Sequence, residues 1–277
     1  MERYLIMSDL DGTLLNKKSK LTFKTKRYIK KITKQGHLFI ISTGRPFQGC
    51  IKYYKELKLT TPLVCDNGGS IHFPNNHSLD IYAYIPLDIF LEFIQEIKEY
   101  IFAAYSSDLE AIHFYNRKDV PSFLQHLEPP YREIFEGDFL DIIKKSPINP
   151  SIFTLRENIH KVIEIAKQEK YSKHFSFRTW ISDYKISTIE LYALDGSKGD
   201  ALNKLKQYFN IKKENDLTFG DQQNDLTLIS YAHNGVAMIN GKDELKKVAK
   251  YITTKPNYKN GEIHFIKQFF KSKKGNS

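Results

Sequence analysis

The sequence predicts an α/β fold made of two parts. Short apolar runs at 5–7, 38–41 and 217–219 resemble buried strands, and each leads through a polar loop into an amphipathic helix. This alternation agrees with a doubly wound, mostly parallel sheet with helices on both faces. Residues 84–193 interrupt it with more aromatic residues and less regular elements. Because 277 residues can form two cores, we expect a core domain at 1–83 and 194–277 and an inserted α/β domain at 84–193.

The composition is that of an ordinary globular protein, with 41% hydrophobic and 27% charged residues. No apolar run approaches the roughly 20 residues that span a bilayer, and the start of the chain lacks a signal-peptide pattern. We therefore expect a cytoplasmic location and no membrane partner. Cys50 and Cys65 form no CxxC and lie beside no histidine pair, so we predict core thiols, with a redox role as the alternative.

The net charge of +10 raises the question of a polyanionic partner. The lysines are spread along segments such as KTKRYIKKITK and KDELKKVAK, where they resemble solvated helix faces. No RNA-binding signature stands out. We therefore expect no nucleic acid partner and favour a general attraction for small phosphorylated metabolites.

The first strand leads into Asp9-Leu10-Asp11-Gly12-Thr13. Ligands bind beyond the carboxyl ends of strands in open α/β sheets, so we expect these aspartates to face a crevice. In an extended segment Asp9 and Asp11 would point the same way. Two such carboxylates favour a hard cation such as Mg2+, or divided acid and base roles. An ordinary turn is the alternative, because Asp and Gly are common in turns.

The next segment predicts a helix, a strand and a second candidate loop. Thr22 suits the N-cap of a helix that runs to about Gln35, where Gly36 ends it. The second strand ends at Ser42-Thr43-Gly44-Arg45-Pro46, and free amides at such a strand-to-helix junction can hold a phosphate oxygen. A common turn is again the alternative. The helix that follows is expected to bury Phe47, Ile51 and Tyr54.

A third strand from Pro62 to Cys65 closes with Asp66-Asn67-Gly68-Gly69. Asn67 is a candidate neighbour of the site. Since Asn-Gly strongly favours tight turns between paired strands, a hairpin is an equal alternative for this loop.

The inserted region is predicted to contain helices at 87–100 and 159–168, and two adjacent strands, FSFRTWIS and KISTIELYA. Turns are predicted at Pro129-Pro130 and at Asp183. His113, Arg178 and Trp180 suit packing or surface positions as well as ligand contacts, so no specificity residue is predicted here.

Two polar segments follow the insertion. Lys198 opens a helix after Asp195-Gly196-Ser197, so its ammonium could reach a pocket at the helix start, although a lysine is usually just solvated. The strand at 217–219 then ends in Gly220-Asp221-Gln222-Gln223-Asn224-Asp225. Carboxylates therefore again follow the end of a strand.

Together these segments resemble the motifs of the haloacid dehalogenase-like (HAD) phosphohydrolases, in the form typical of the Cof-type subfamily IIB. DLDGT at 9–13 resembles the first motif, STGRP at 42–46 the second, SKG at 197–199 the third and GDQQND at 220–225 the fourth. DNGG at 66–69 resembles an NGA-type loop with Gly69 in place of alanine, and GVAM at 235–238 resembles a tail segment. The Ile-Asn-Gly after GVAM departs from the usual Gly-Asn-Ala, at a place expected to touch no catalytic position.

The resemblance implies a Rossmann-like core sheet with an inserted α/β type C2 cap domain that closes over the site and selects the substrate. It also implies a Mg2+-dependent phosphatase that forms an aspartyl-phosphate on Asp9. Asp11 would be the general acid and base, with Thr43 and Lys198 completing the catalytic set. The implied phosphate contacts are Leu10, Thr43, Gly44, Lys198 and Asn224. The implied metal ligands are Asp9, the Asp11 carbonyl, Asp221 and, through water, Asp225. Further neighbours are Thr13, Arg45 and Asn67.

The implied substrate is a small phosphorylated metabolite of the sugar phosphate, pyridoxal phosphate or nucleotide type. One alternative is a phosphotransferase or phosphomutase that acts on sugar phosphates. A less favoured alternative is a non-catalytic protein that binds a polyanion. We expect a monomer or a weak dimer.

Overall fold

The computed structural model describes residues 2–121, 133–181 and 185–275. The chain divides into two compact units, one formed by Met1–Ile81 with Ser197–Ser277 and the other by Tyr82–Gly196. Among the described helices, none combines the length and apolar composition that crossing a membrane requires. The turns predicted at Pro129-Pro130 and at Asp183 lie outside the described residues.

Strands and helices alternate along the chain. The first segment contains β1 (Leu5–Ser8), α1 (Phe23–Lys34), β2 (Leu38–Ile41), α2 (Phe47–Leu57), β3 (Leu63–Cys65), β4 (Ser70–His72) and β5 (Ile81–Tyr82). The middle segment contains α3 (Leu87–Ile97), β6 (Ala103–Ser107), β7 (Ala111–Tyr115), β8 (Glu133–Glu136), α4 (Phe139–Ile142), β9 (Ser151–Leu155), α5 (Ile159–Ala166), α6 (Glu169–Ser172), β10 (Phe175–Ile181) and β11 (Ile186–Ala193). The last segment contains α7 (Lys198–Tyr208), β12 (Asp216–Gly220), α8 (Leu226–Tyr231), β13 (Gly235–Ala237), α9 (Asp243–Val248), β14 (Tyr251–Ile252) and α10 (Gly261–Gly275).

A parallel five-stranded sheet lies at the centre of the first unit, in the order β14-β13-β12-β1-β2. Successive side chains of a strand point to opposite faces of the sheet. Ile6 accordingly packs with α1, α2 and α10, whereas Leu5 and Met7 pack with α7 and α8. Helices thus cover both faces of a parallel sheet, and the predicted α/β fold class is confirmed.

The helices that follow β1 and β2 begin close to their predicted positions. Thr22 caps α1 by accepting a hydrogen bond from the Thr25 N–H, and Gly36 turns the chain after the helix with a φ of +92°. Pro46 is the N-cap of α2 and precedes its first turn. The buried stripe of α2 contains Cys50, Tyr53, Tyr54 and Leu57. Phe47 and Ile51 are only partly buried, so the stripe is rotated by about one residue from the predicted one.

The loop at 66–69 closes a β-hairpin, the alternative that Asn-Gly favoured. β3 pairs antiparallel with β4, with Cys65 opposite Ser70. Asn67 and Gly68 have φ values of 58° and 104°, and this left-handed backbone turns the chain tightly. Cys65 packs on Cys50 of α2, with the Sγ atoms 3.3 Å apart, and both cysteines are buried thiols not joined by a disulfide, as predicted.

The second unit contains a six-stranded sheet in the order β10-β11-β9-β6-β7-β8. Its described pairs are antiparallel except for β7 with β8. The two predicted adjacent strands are β10 and β11, which pair from Phe175 with Ala193 onwards. Phe90 and Phe93 of α3 and Val162 of α5 pack with the sheet in one core. The unit is thus a second α/β body with its own hydrophobic centre.

Candidate active site

Three parallel strands end at the same edge of the core sheet. Ser8 of β1 lies between Ile41 of β2 and Phe219 of β12. The residues that follow these strands therefore emerge together, which is the usual place for a ligand site in such sheets.

Lys198 joins two carboxylates at this edge. Its Nζ atom lies 2.7 Å from Asp9 Oδ1 and 2.6 Å from Asp225 Oδ1. Asp9 is 5% exposed, and Lys198 and Asp225 are fully buried. Ser197 caps α7 through the Asp200 N–H and so fixes the start of the helix that carries the lysine. The three charged side chains therefore have little freedom to move.

The charges in this cluster shift one another's proton affinity. Burial raises the pKa of Asp9 well above its ordinary value; Lys198 opposes this effect, whereas Asp225 and Asp221 add to it. Burial alone would lower the pKa of Lys198, but the carboxylates of Asp225 and Asp9 outweigh it and raise that pKa. Lys198 therefore carries its positive charge at neutral pH.

Asp221 completes a group of three buried carboxylates with Asp9 and Asp225, whose nearest oxygen atoms all lie within 4.8 Å of one another. Burial, reinforced by Asp225, raises the pKa of Asp221 to about 6. Its oxygens accept hydrogen bonds from Thr13 Oγ1 at 3.0 Å and from Gln222 Nε2 at 3.1 Å. Converging carboxylate oxygens are the donors that a hard divalent cation prefers, so the site fits Mg2+.

Both oxygens of Asp225 already have partners in the protein. Oδ1 accepts from Lys198, and Oδ2 accepts from the backbone N–H groups of Asp221 and Gln222 at 2.9 and 3.1 Å. This arrangement suits contact with an ion through water better than direct ligation. That role of Asp225 stays a prediction.

The first loop packs tightly against Asp221. Gly12 has a φ of +79°, and a Cβ atom there would lie 2.1 Å from Asp221 Oδ2. Asn240 Nδ2 donates to the Gly12 carbonyl at 2.8 Å. The Ile-Asn-Gly segment therefore contacts the first loop at Gly12, which is not one of the predicted catalytic positions.

Asp11 is not part of the carboxylate cluster. Its oxygens accept from Arg45 Nε at 2.8 Å and Nη2 at 2.7 Å, and the Asp11 side chain is 51% exposed. The expectation that Asp9 and Asp11 converge assumed an extended segment. The chain instead forms a helical turn over Leu10–Leu14, so the two side chains diverge. Arg45, expected only as a neighbour, is the direct partner of Asp11.

A chain of hydrogen bonds joins the second loop to the fourth. The Asn67 N–H donates to the Thr43 carbonyl at 3.0 Å, and Asn224 Nδ2 donates to Asn67 Oδ1 at 2.9 Å. A Cβ atom on Gly44 would lie 2.8 Å from Asn67 Oδ1. Thr43 and Leu10 are both buried, and their predicted contacts with a phosphate stay predictions.

Two residues next to Asp9, Ser8 and Glu262, were not predicted as neighbours of the site. Ser8 Oγ lies 2.8 Å from the Asp9 carbonyl and 2.9 Å from Glu262 Oε2 of α10. Glu262 is 1% exposed, and its Oε1 atom has no hydrogen-bond partner among the described residues. Burial raises the pKa of Glu262 to about 8. An acidic residue in a first helical turn looks ordinary in a sequence, so no signal identified it.

Known proteins resemble this chain over almost its whole length. A family model described as haloacid dehalogenase-like hydrolase matches residues 6–266. The 5-amino-6-(5-phospho-D-ribitylamino)uracil phosphatase YitU of Bacillus subtilis is 30% identical over 283 residues, covering 96% of this chain and 97% of that protein. A putative phosphatase of Haemophilus influenzae is 27% identical over 257 residues, covering 91% and 93%.

Solved structures share the fold. A haloacid dehalogenase-like hydrolase from Bacteroides thetaiotaomicron has a TM-score of 0.75 at 24% identity, covering 97% of this chain and 100% of that chain. A HAD subclass IIB sugar phosphatase has a TM-score of 0.76 at 21% identity, covering 96% and 98%. The family predicted from the motifs is thus confirmed, and this chain belongs to the haloacid dehalogenase-like hydrolases as an enzyme of the phosphatase type.

Proposed function

We propose that this enzyme is a Mg2+-dependent phosphatase that hydrolyses small phosphorylated metabolites through an aspartyl-phosphate on Asp9. The observation that carries the proposal is the place of Asp9. It is buried at the end of β1, 2.7 Å from the Lys198 ammonium and within 4.8 Å of two further carboxylates. A carboxylate held in one direction and shielded from water is suited to act as a nucleophile.

In the first step an Asp9 oxygen attacks the phosphorus atom and the bond from phosphorus to the ester oxygen breaks. Asp11 gives its proton to the departing oxygen. In the second step Asp11 takes a proton from water, which attacks the phosphorus and releases phosphate from Asp9. Asp11 must leave Arg45 for this role. The Asp11 side chain is 51% exposed, so water can take the place of Arg45 as its partner when the pair opens.

Asp9, the Asp11 carbonyl and Asp221 would hold Mg2+, with Asp225 joining through water. When bound, the ion would reduce the repulsion between Asp9 and the phosphate oxygens. The charge of Lys198, 2.7 Å from Asp9 Oδ1, would also reduce this repulsion. The Thr43 hydroxyl, the backbone N–H groups of Leu10 and Gly44, and the Asn224 amide would orient the phosphoryl oxygens.

We infer that the unit Tyr82–Gly196 is a type C2 cap that selects the substrate. Similarity to YitU over 96% of this chain supports 5-amino-6-(5-phospho-D-ribitylamino)uracil as the first substrate to test. Sugar phosphates, pyridoxal phosphate and nucleotides complete a panel that samples the other classes.

The test is the Asp9→Asn variant, assayed for phosphate release from p-nitrophenyl phosphate with Mg2+. We expect a loss of at least about 10³-fold in kcat, since removing a nucleophile removes the covalent route. Asp141→Asn, an exposed carboxylate on α4, is the matched control and should keep full activity. EDTA should abolish activity and added Mg2+ should restore it. Substantial turnover by Asp9→Asn would refute the role of Asp9.

A further inference from the structure

A second candidate binding site lies in the first unit, on the face covered by α1 and α10. A groove of about 750 Å³ runs between these helices. It is lined by Lys24, Arg27, Tyr28, Lys31, Gln35, His37, Lys267, Phe270 and Lys271. Its volume is within the roughly 300–1,000 Å³ typical of small-molecule sites.

The groove lies at the opposite end of the core sheet from Asp9. His37 precedes β2, whereas Thr43 follows it, and the strand between them spans roughly 13 Å. Helix α10 runs in the opposite direction to β1 and so also reaches from one end of the sheet to the other. Glu262 at its start contacts Ser8 beside Asp9, and Phe270 near its end packs on Tyr4 before β1, with ring centres 5.3 Å apart. The groove is therefore separate from the candidate active site.

Five cationic side chains surround the groove, and none of the described residues that line it is a carboxylate. Lys24, Arg27 and Lys31 form one stripe of α1, and Lys267 and Lys271 are one turn apart on α10. None of the five forms an ion pair with a described carboxylate, whereas neighbouring Lys26 pairs with Glu56 at 2.9 Å. Like charges at this spacing repel, and a multiply charged anion would relieve the repulsion.

Aromatic rings form part of the same wall. Phe270 stacks on His37 with ring centres 4.5 Å apart and remains partly exposed. Tyr28 is also partly exposed, with the Lys267 ammonium 4.9 Å from its ring centre. A planar base can contact such rings while lysines hold phosphate groups. Inorganic phosphate alone would leave this apolar part of the groove without a partner.

We propose that this groove binds a free nucleoside polyphosphate, with the phosphates between α1 and α10 and the base against Phe270 and Tyr28. An RNA chain would use the same chemistry. A groove of small-molecule volume bounded by two helices favours the free nucleotide, because RNA contacts need a basic surface that continues beyond one pocket.

The experiment measures ADP binding by calorimetry without metal, in the Asp9→Asn background so that the ligand is not consumed. The groove variant is Lys31→Glu/Lys267→Glu. The matched control is Lys118→Glu/Lys144→Glu, which makes the same change in net charge at exposed lysines of the second unit. We expect ADP affinity to fall about tenfold or more in the groove variant and by less than about twofold in the control. Pyrophosphate should bind more weakly than ADP.

Three results would overturn the proposal. If the groove and control variants bind ADP with equal affinity, the groove does not bind ADP, and any bound nucleotide lies elsewhere, for example at the active site. If pyrophosphate binds as tightly as ADP, the base does not contribute to binding. A single-stranded RNA that binds more tightly than ADP and is weakened alike by both variants would indicate a general attraction for polyanions. Because the four substituted lysines are exposed, unchanged circular dichroism should accompany either outcome.

Discussion

Lys198 is fully buried and has two carboxylates as partners, Asp9 and Asp225. Replacing it with methionine would leave both carboxylates without their counter-charge. Breaking a buried pair in this way costs about 3–5 kcal/mol, so we expect Lys198→Met to lower the free energy of unfolding by about that amount. Urea unfolding in EDTA measures the change, and the phosphatase assay should show no turnover.

The double variant Lys198→Met/Asp225→Asn separates stability from catalysis. Removing the Asp225 charge should recover much of the lost free energy of unfolding, because only Asp9 then remains unpaired, and Asp9 can take up a proton. Activity should stay absent, since the phosphoryl oxygens still lack Lys198. Recovered activity in the double variant would contradict the proposed contact between Lys198 and the phosphate.

Glu262 makes the stability of the fold dependent on pH. Burial raises its pKa from 4.5 to about 8, so the folded protein holds this proton more tightly than the unfolded chain does. Stability from this group is therefore fully present below pH 4.5 and is lost as pH rises toward 8. The slope approaches about 1.4 kcal/mol per pH unit.

Glu262→Gln keeps the shape of the side chain and removes its titration. We expect the variant to match the parent in free energy of unfolding near pH 4.5 and to become progressively more stable than it up to pH 8. Urea unfolding of both proteins across this range tests the effect. Parallel stability profiles would show that Glu262 does not titrate in this window.

At the scale of elements, the β3–β4 hairpin supports the start of α7. Gly68 has a φ of +104°, and a Cβ atom there would lie 2.2 Å from the backbone carbon of Ser197, next to Lys198. Gly36 has a similar φ of +92° but faces open space. Comparing alanine at the two positions therefore separates backbone strain from a clash with the helix.

We expect Gly36→Ala to cost about 1–2 kcal/mol through its left-handed backbone alone, with kcat unchanged. Gly68→Ala should cost more and should also lower kcat, because the loop or the start of α7 must shift. Urea unfolding and p-nitrophenyl phosphate kinetics measure both quantities. If the two variants lose the same stability and keep the same kcat, the hairpin does not support the site.

The sequence predicted those elements whose signals are local. Thr22 and Gly36 mark the ends of α1, and the apolar runs of β1 and β2 mark buried strands. The direction of the Asp11 side chain was not predictable in this way. It depends on the helical turn at Leu10–Leu14 and on Arg45, which is distant in the sequence. The contact of Glu262 with Ser8 joins residues 254 positions apart, and no local pattern reports such a contact.

At the scale of the whole molecule, one chain segment from each side of the insertion builds the core sheet. β1 and β2 precede the second unit, and β12, β13 and β14 follow it. All the proposed catalytic residues also belong to the first unit. We therefore expect a shortened chain, with a Gly-Ser linker in place of residues 82–196, to keep the sheet and the carboxylate cluster.

This shortened chain should fold, as measured by circular dichroism and thermal unfolding, and should hydrolyse p-nitrophenyl phosphate with Mg2+. Its kcat should be lower than that of the parent, since without the proposed cap water enters the site and weakens every charge interaction there. The differences in kcat/KM among sugar phosphates, pyridoxal phosphate and nucleotides should largely disappear, because the first unit alone would contact only the phosphate group of each substrate. Asp9→Asn in the shortened chain controls for a contaminating phosphatase. A shortened chain that ranks the substrates as the parent does would show that selection occurs in the core, and the cap role of the second unit would then be wrong.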